Sequence, residues 1–370
     1  MNSDQAACSV LPEGFFDCPG QPVPGALENQ LLGWAQAQQT MSGPEGPYFR
    51  QLQHDAQQAH CRLVSLASHS FPVHVRASPW MAAPLHVPGP VMAIGDVHGM
   101  ALQLDALLGW FNMACPDATL VILGDLVDRG DDSALALALT TLEIAWKNRH
   151  QAGKGQWLLG NHETTMLAWL AGNDSVLENW AQHGGRWLLP PNLAHAVGQR
   201  ALHPLEAAKL RAAAAQRLPP SAWQALLTHT HPAWEWGTMH FAHAGVDPTD
   251  PTPLQSALQA FQSGHSQPGP SQAALKPACT TIRNAFLKHQ GPYAMGEHWV
   301  VVHGHSITKQ VGLQGWRLSL DSGCFMSGVL SAALVEQGRW RLIQAMGRLS
   351  HWMGPGSRST QRMAASPPWG

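Results

Sequence analysis

Charge is scarce in this sequence. Asp, Glu, Lys and Arg make up 12% of its 370 residues, about half the usual share. The formal net charge is −2, and no run of five like charges occurs. A nucleic-acid or anionic-membrane surface needs a basic patch, so neither partner is expected. Paired cysteines are missing too. Cys8, Cys18, Cys61, Cys115, Cys279 and Cys324 form no C-x-x-C. That argues against a disulfide framework and a thiolate zinc site, and it fits reduced thiols in a cytosolic protein. No apolar run reaches ~18 residues, so no membrane span is expected. The opening "MNSDQAACSV" lacks the basic and apolar regions of a signal peptide, and a cytoplasmic location is expected.

Other features are plentiful. Apolar residues reach 45%, enough for a sizeable core. The 21 histidines exceed what one site could use, so many must be ordinary polar surface. The length allows two domains, or one large domain with extensions. Residues 1–88 are rich in Pro, Gln, Ala and His and read as a partly helical N-terminal extension. "ENQLLGWAQAQQTM" and "YFRQLQHDAQQAHCRLVSLA" carry apolar residues at helical spacing, separated by the breaker "SGPEGP". Residues 89–346 read as the main domain, with a helical insertion at 188–238. Residues 347–370 have the composition of a disordered tail.

Within residues 89–346, short apolar strands alternate with helical stretches, which indicates an α/β core. Five strands run into polar loops. "VMAI" meets "GDVHG", "TLVIL" meets "GDLVDRG", "QWLL" meets "GNHE", "TMHFA" meets "HAG" and "WVVV" meets "HGH". In α/β sheets, ligands gather outside the carboxyl ends of strands. Convergence there would assemble Asp96, His98, Asp125, Asn161, His162, His243 and at least one of His303 and His305. Each loop alone has a bland explanation. An Asp after Gly is ordinary turn chemistry, and Asn161 could merely cap a helix. Five such loops, each behind a strand, are not explained that way. The donors are oxygens and imidazoles without thiolate, which suits Mn, Fe or Zn better than Ca. They exceed one ion's needs, and two ions sharing a carboxylate fit the count.

"GDVHG", "GDLVDRG" and "GNHE" together resemble the signature of the calcineurin-like metallophosphoesterases. The resemblance is narrower toward the bacterial and phage serine/threonine protein phosphatases, and it covers roughly 91–340. "TIRNAFLKHQGPYAMGEHWVVVHGHSI" and "LDSGCFMSGVLSAALVE" resemble later segments of that family. The resemblance implies two packed mixed β-sheets flanked by helices, with two divalent metals, foremost Mn²⁺, at one edge. It implies that Asp96 and His98 bind the first metal and that Asp125 bridges both. Asn161, His243 and His305 would bind the second, with His303 a neighbour. His162 would be the general acid and Asp128 its orienting partner. Arg129, Arg283 and Asn161 would contact the phosphate. Glu163 and Asp321 would support the loops, and His183 and Arg186 of "HGGRW" could line the cleft.

The implied activity is phosphomonoester hydrolysis by in-line attack of water activated between the metals, on a phosphorylated protein or a small phosphoester. The alternative is hydrolysis of symmetrical dinucleoside tetraphosphates, whose enzymes typically carry Ala where this chain has Asp128. A catalytically dead phospho-binding fold is the third reading, and the intact donor set opposes it. The oligomeric state is left open, a monomer being compatible. Departures from the family pattern are Ser306-Ile307 after the Gly-His, and Thr280-Thr281 before Arg283.

Overall fold

The structure is a computed structural model that describes residues 16–17, 46–70, 72–151, 154–191, 197, 203–262 and 279–350. The expected helix within "ENQLLGWAQAQQTM" and the tail beyond residue 350 lie outside these residues. The strands are β1 (Phe16–Asp17), β2 (His74–Ala77), β3 (Met81–Ala82), β4 (Val91–Ile94), β5 (Thr119–Ile122), β6 (Gly155–Leu158) and β7 (Thr230–His231). They continue as β8 (Ala233–Trp236), β9 (Met239–Ala242), β10 (Val300–His303), β11 (Gly312–Gln314), β12 (Arg317–Ser319), β13 (Val329–Glu336) and β14 (Arg339–Met346). The helices are α1 (Gly46–Ser68), α2 (Ala101–Ala114), α3 (Ser133–His150), α4 (Asn161–Leu170), α5 (Leu177–Gln182), α6 (Pro204–Ala215), α7 (Pro220–Thr228), α8 (Thr252–Gln262), α9 (Asn284–Leu287) and α10 (Cys324–Ser327).

Two mixed sheets form. The larger runs β1-β2-β14-β13-β4-β5-β6-β7, with β3 paired to β14, and the smaller runs β11-β12-β10-β9-β8. The central strands β4, β5 and β6 are parallel and buried along their whole length. Such strands read as short continuous apolar runs because both faces are covered. Alternate side chains serve different cores. Met92, Ile94, Leu120, Ile122 and Trp157 pack toward the helices. Val91, Ala93, Val121, Leu123 and Leu158 pack against Met239, Phe241, Val300, Val302 and Leu318 of the smaller sheet. Ala242 and Val301 point the other way, to Leu254 and Leu258 of α8. The order is therefore helices, sheet, sheet, helices.

The described part of residues 1–88 is not an appendage. In α1, Phe49, Leu52, Ala56, Ala59 and Leu63 recur at helical spacing and are buried in the main core. Asp55 accepts hydrogen bonds from the Ser221 amide and hydroxyl at the start of α7. β2 pairs antiparallel with β14, so this segment extends the larger sheet itself. At the other end, Arg348 donates to Asp131 (2.8 Å) and Ser350 to the Arg129 carbonyl (3.1 Å). The expected tail is thus anchored over 347–350. Among the described residues the insertion is helical only to Thr228; the rest of it contributes β7 and β8, and in β8 the Trp234 and Trp236 rings stack nearly parallel, with centroids 5.3 Å apart.

Candidate metal centre and its surroundings

The parallel strands β4, β5 and β6 of one sheet, and β9 and β10 of the other, release their loops on the same side. β4 delivers Asp96 and His98. β5 delivers Asp125, Asp128 and Arg129. β6 delivers Asn161 and His162 as the first residues of α4. β9 and β10 deliver His243 and His305. Among the described residues, the non-glycine residues with positive φ are His98, Asp125, Asp128, Arg129 and His305. All five are expected site residues. A side-chain-bearing residue held in this region is strained, and such strain persists where surrounding bonds over-determine the backbone.

Those bonds are visible. The Glu163 carboxylate accepts from the amides of Asp125 (2.8 Å), Leu126 (2.6 Å), Val127 (3.2 Å) and Gly160 (3.0 Å). One buried side chain therefore ties the β5 and β6 loops together. The His305 amide donates to both oxygens of Asp96, at 3.0 and 2.9 Å. The chain passes so close here that a Cβ on Gly304 would lie 1.9 Å from Asp96 Oδ1. Only glycine fits that position.

Asp125 is the hub. Its Oδ2 lies 3.7 Å from His98 Nε2 and 3.3 Å from His243 Nε2. His98 Nδ1 is 2.9 Å from the Val127 carbonyl and His243 Nδ1 is 3.0 Å from the Leu123 carbonyl. A carbonyl only accepts, so each Nδ1 carries the hydrogen and each Nε2 faces the centre. Asn161 Oδ1 lies 3.2 Å from His243 Nε2 and 2.8 Å from His305 Nδ1. Candidate ligand atoms of His98, Asp125 and His162 lie within 4.8 Å of one another, as do those of Asp125, His243 and His305. Asp125 is common to both groups. Asp96 belongs to neither, its carboxylate being turned to the His305 amide.

The electrostatics call for a cation. Burial, then the neighbouring Asp321, push the Asp96 carboxyl well above its usual range. Burial opposes ionisation of Asp125 as well, but His243, His162 and His98 outweigh it and hold that carboxyl well below the usual range. Burial and His243 push His305 down to about 3. Asp125 in turn outweighs burial and raises His243 to about 10, so protons now balance the buried carboxylates at a place where a bound cation could replace them. The donors are oxygens and imidazole nitrogens without thiolate. The residues present therefore fit a pair of borderline divalent ions.

Beside the centre, His162 Nδ1 lies 2.5 Å from Asp128 Oδ2. Burial would lower the His162 pKa, yet Asp125 and Asp128 together raise it. The Arg129 guanidinium donates to His98 Nε2 (2.8 Å) and His162 Nε2 (2.9 Å) and lies 4.8 Å from the Phe325 ring centroid. Arg283 precedes α9 rather than sitting within a helix, and it donates to His305 Nε2 at 3.1 Å. His303 is buried and turned away, toward the Ser319 hydroxyl (2.7 Å) and the Phe286 ring. His183 and Arg186 are exposed. Three neighbours escape sequence reading. Phe325 packs on Arg129 and His98. Trp180 and Trp187 donate their indole N–H groups to Asp128. The double glycine between those tryptophans is the available signal for a close turn.

A family model described as calcineurin-like phosphoesterase matches residues 89–309. Serine/threonine-protein phosphatase 1 of Salmonella typhimurium is 34% identical over 112 residues, covering 30% of this chain and 46% of that protein. A symmetrical bis(5'-nucleosyl)-tetraphosphatase of Pectobacterium atrosepticum is 37% identical over 79 residues, 21% of this chain and 25% of that protein. The chain thus spans less than half the length of these curated relatives. A solved protein serine/threonine phosphatase from Saccharomyces cerevisiae aligns at 17% identity over 71% of this chain and 81% of that one, with a TM-score of 0.38.

Proposed function

The chain belongs to the calcineurin-like phosphoesterase family, and from that premise we propose that it is a serine/threonine protein phosphatase. Asp96, His98 and Asp125 would hold one divalent ion, and Asp125, Asn161, His243 and His305 the other, with Mn²⁺ the ion expected. When bound, such ions supply Lewis acidity toward phosphate oxygens and make water nucleophilic near neutral pH.

The chain's own residues do the rest. Arg129 presents a planar fork of N–H donors suited to phosphate oxygens. It now donates to two imidazoles, and a phosphate dianion would draw those donors to itself. His162 Nε2 is then free to hold a proton, while its Nδ1–H stays on Asp128. Arg283 stands at the opposite rim, beside His305. In hydrolysis, water forms the new P–O bond and loses a proton to solvent. The ester P–O bond breaks, and its electron pair leaves on the serine or threonine oxygen. That alkoxide is a poor leaving group, so His162 Nε2 gives it a proton and is later reprotonated from solvent.

The observation that carries this reading is the buried Asp128–His162 pair, 2.5 Å apart. A positioned acid serves an alkyl leaving group. Hydrolases of dinucleoside tetraphosphates typically have Ala at that Asp. The tetraphosphatase alternative draws on the relative of that name. The test is to strip metal, restore Mn²⁺, and compare p-nitrophenyl phosphate, a phosphoserine peptide and diadenosine tetraphosphate. Preference for the peptide over the dinucleotide is expected, and the reverse preference overturns the proposal. His162→Asn is expected to retain metal while losing ~10²–10⁴-fold in turnover of the phosphopeptide. Loss of metal in equal measure would show that His162 is a ligand instead.

A further inference from the structure

Between α4 and α6 the chain carries "NWAQHGGRWLL". Trp180 lies in α5, and Trp187 lies in a short 3-10 turn over Gly185–Leu188. Both are buried. The turn between them is pressed onto the β5 loop. Gly184 has φ +118°, and a Cβ there would lie 2.6 Å from Arg129 N and 2.9 Å from Asp128 Cβ. A Cβ on Gly185 would lie 2.3 Å from the Trp180 ring. These are the two positions where the turn admits no side chain.

The contact brings both indoles to one carboxylate. Trp187 Nε1 donates to Asp128 Oδ1 at 2.7 Å, and Trp180 Nε1 donates to Asp128 Oδ2 at 2.9 Å. His162 Nδ1 takes the same Oδ2 at 2.5 Å. Asp128 is completely buried. Satisfying tryptophans is not a sufficient explanation. Trp157 and Trp169 are equally buried, and their Nε1 atoms have no hydrogen-bond partner among the described residues. Asp128 and the next residue, Arg129, both have left-handed backbones, at φ 73° and 67°. The torsion that sets an Asp carboxylate plane is soft, so hydrogen bonds to its two oxygens are what hold that plane.

We propose that Trp180 and Trp187 are positioning residues for proton transfer. They fix the plane of the Asp128 carboxylate, and through it aim the His162 ring at the leaving oxygen. This rests on the acid role given to His162 above. Neither tryptophan touches the substrate. Without Trp187, Oδ1 loses its indole donor while remaining buried, and the carboxylate is free to rotate away from His162.

The experiment uses the Mn²⁺-loaded full chain and Trp180→Phe, Trp187→Phe, Trp169→Phe and His162→Asn. Turnover is measured on a phosphoserine peptide, whose alkoxide needs an acid, and on p-nitrophenyl phosphate, whose phenolate leaves unaided. Trp180→Phe and Trp187→Phe are expected to lose on the order of tenfold in kcat on the peptide, and far less on the aryl ester. Trp169→Phe, which removes an unbonded indole packed 5.3 Å from Trp180, is expected to leave that ratio unchanged. A second readout is independent of turnover. In proton NMR of the metal-free protein, the short His162–Asp128 bond should give a far-downfield proton that vanishes in His162→Asn. It should move upfield in both indole variants and stay in place in Trp169→Phe. Equal losses on both substrates, or an unmoved resonance, in Trp180→Phe and Trp187→Phe overturn the proposal while His162→Asn still discriminates. If His162→Asn itself fails to discriminate, the acid role falls, and the proposal with it.

Discussion

His303 and His305 stand two positions apart, which in a continuing strand would put them on one face, and the end of β10 at His303 separates them. His303 ends β10 with its ring among Ser319 and Phe286, whereas His305 follows the turn at Gly304 and reaches Asn161 and Arg283. His305→Ala is expected to remove metal-dependent activity by more than the ~10–100-fold that a change behind a ligand costs. Metal content by elemental analysis should fall with it. His303→Ala should keep its metal and instead lose ~1–3 kcal/mol of stability, because Ser319 is left without its buried partner. The reverse pattern would exchange the two roles. The residues alone left the two histidines as alternatives, and only the family resemblance favoured His305 as the ligand. The work of Glu163 was legible only as vague support, because four amides from two loops meet one carboxylate only after folding.

Helix α3 follows the strained β5 loop and carries a pH-sensitive feature of its own. Asp132 caps it by accepting from the Leu135 amide (2.9 Å), and Arg62 of α1 clamps that same carboxylate at 2.6 Å. Further along, Glu143 is fully buried, with Asn112 donating to it at 3.0 Å. Burial pushes its carboxyl up to about 7, against 4.5 in an open chain. Between those pH values the folded protein holds a proton that the unfolded chain has lost. Its stability contribution is therefore complete below about 4.5 and is lost as pH rises to about 7. The loss is on the order of 3 kcal/mol. Glu143→Gln cannot ionise, so its stability relative to the parent should improve from pH 5 to pH 8. Urea midpoints at the two pH values check this, and a constant difference would show that Glu143 stays ionised. The position of Arg283 just before α9 is another matter of helix boundaries. Apolar spacing marks the body of a helix well and its end poorly.

The arrangement of the chain makes the N-terminal segment indispensable. α1 buries Leu52 and Leu63 in the main core, and β2 covers the edge of β14. Each buried leucine is worth ~2–5 kcal/mol, against a total stability of ~5–15 kcal/mol for a typical domain. Removing residues 1–88 is therefore expected to abolish cooperative thermal unfolding, and activity with it. Circular dichroism would detect this, and a truncated protein melting like the parent would return the segment to the status of an appendage. Among the described residues, no helix is long and apolar enough to cross a membrane.

Local pattern was enough for the strand-loop-helix texture and the five polar loop ends, and it left His303 and His305 as alternatives. These depend on periodicity and residue chemistry within a few positions, which a linear reading preserves. It was not enough to join the N-terminal segment to the core, to find the strands β7 and β8, or to see Trp180 and Trp187 reach Asp128. Trp187 and Asp128 are 59 residues apart in the chain, and β2 meets a strand some 270 positions later. Composition carries no trace of such pairings. They are selected when the two sheets close and buried polar groups must find partners, and that is how the Asp128 carboxylate comes to hold two indole donors.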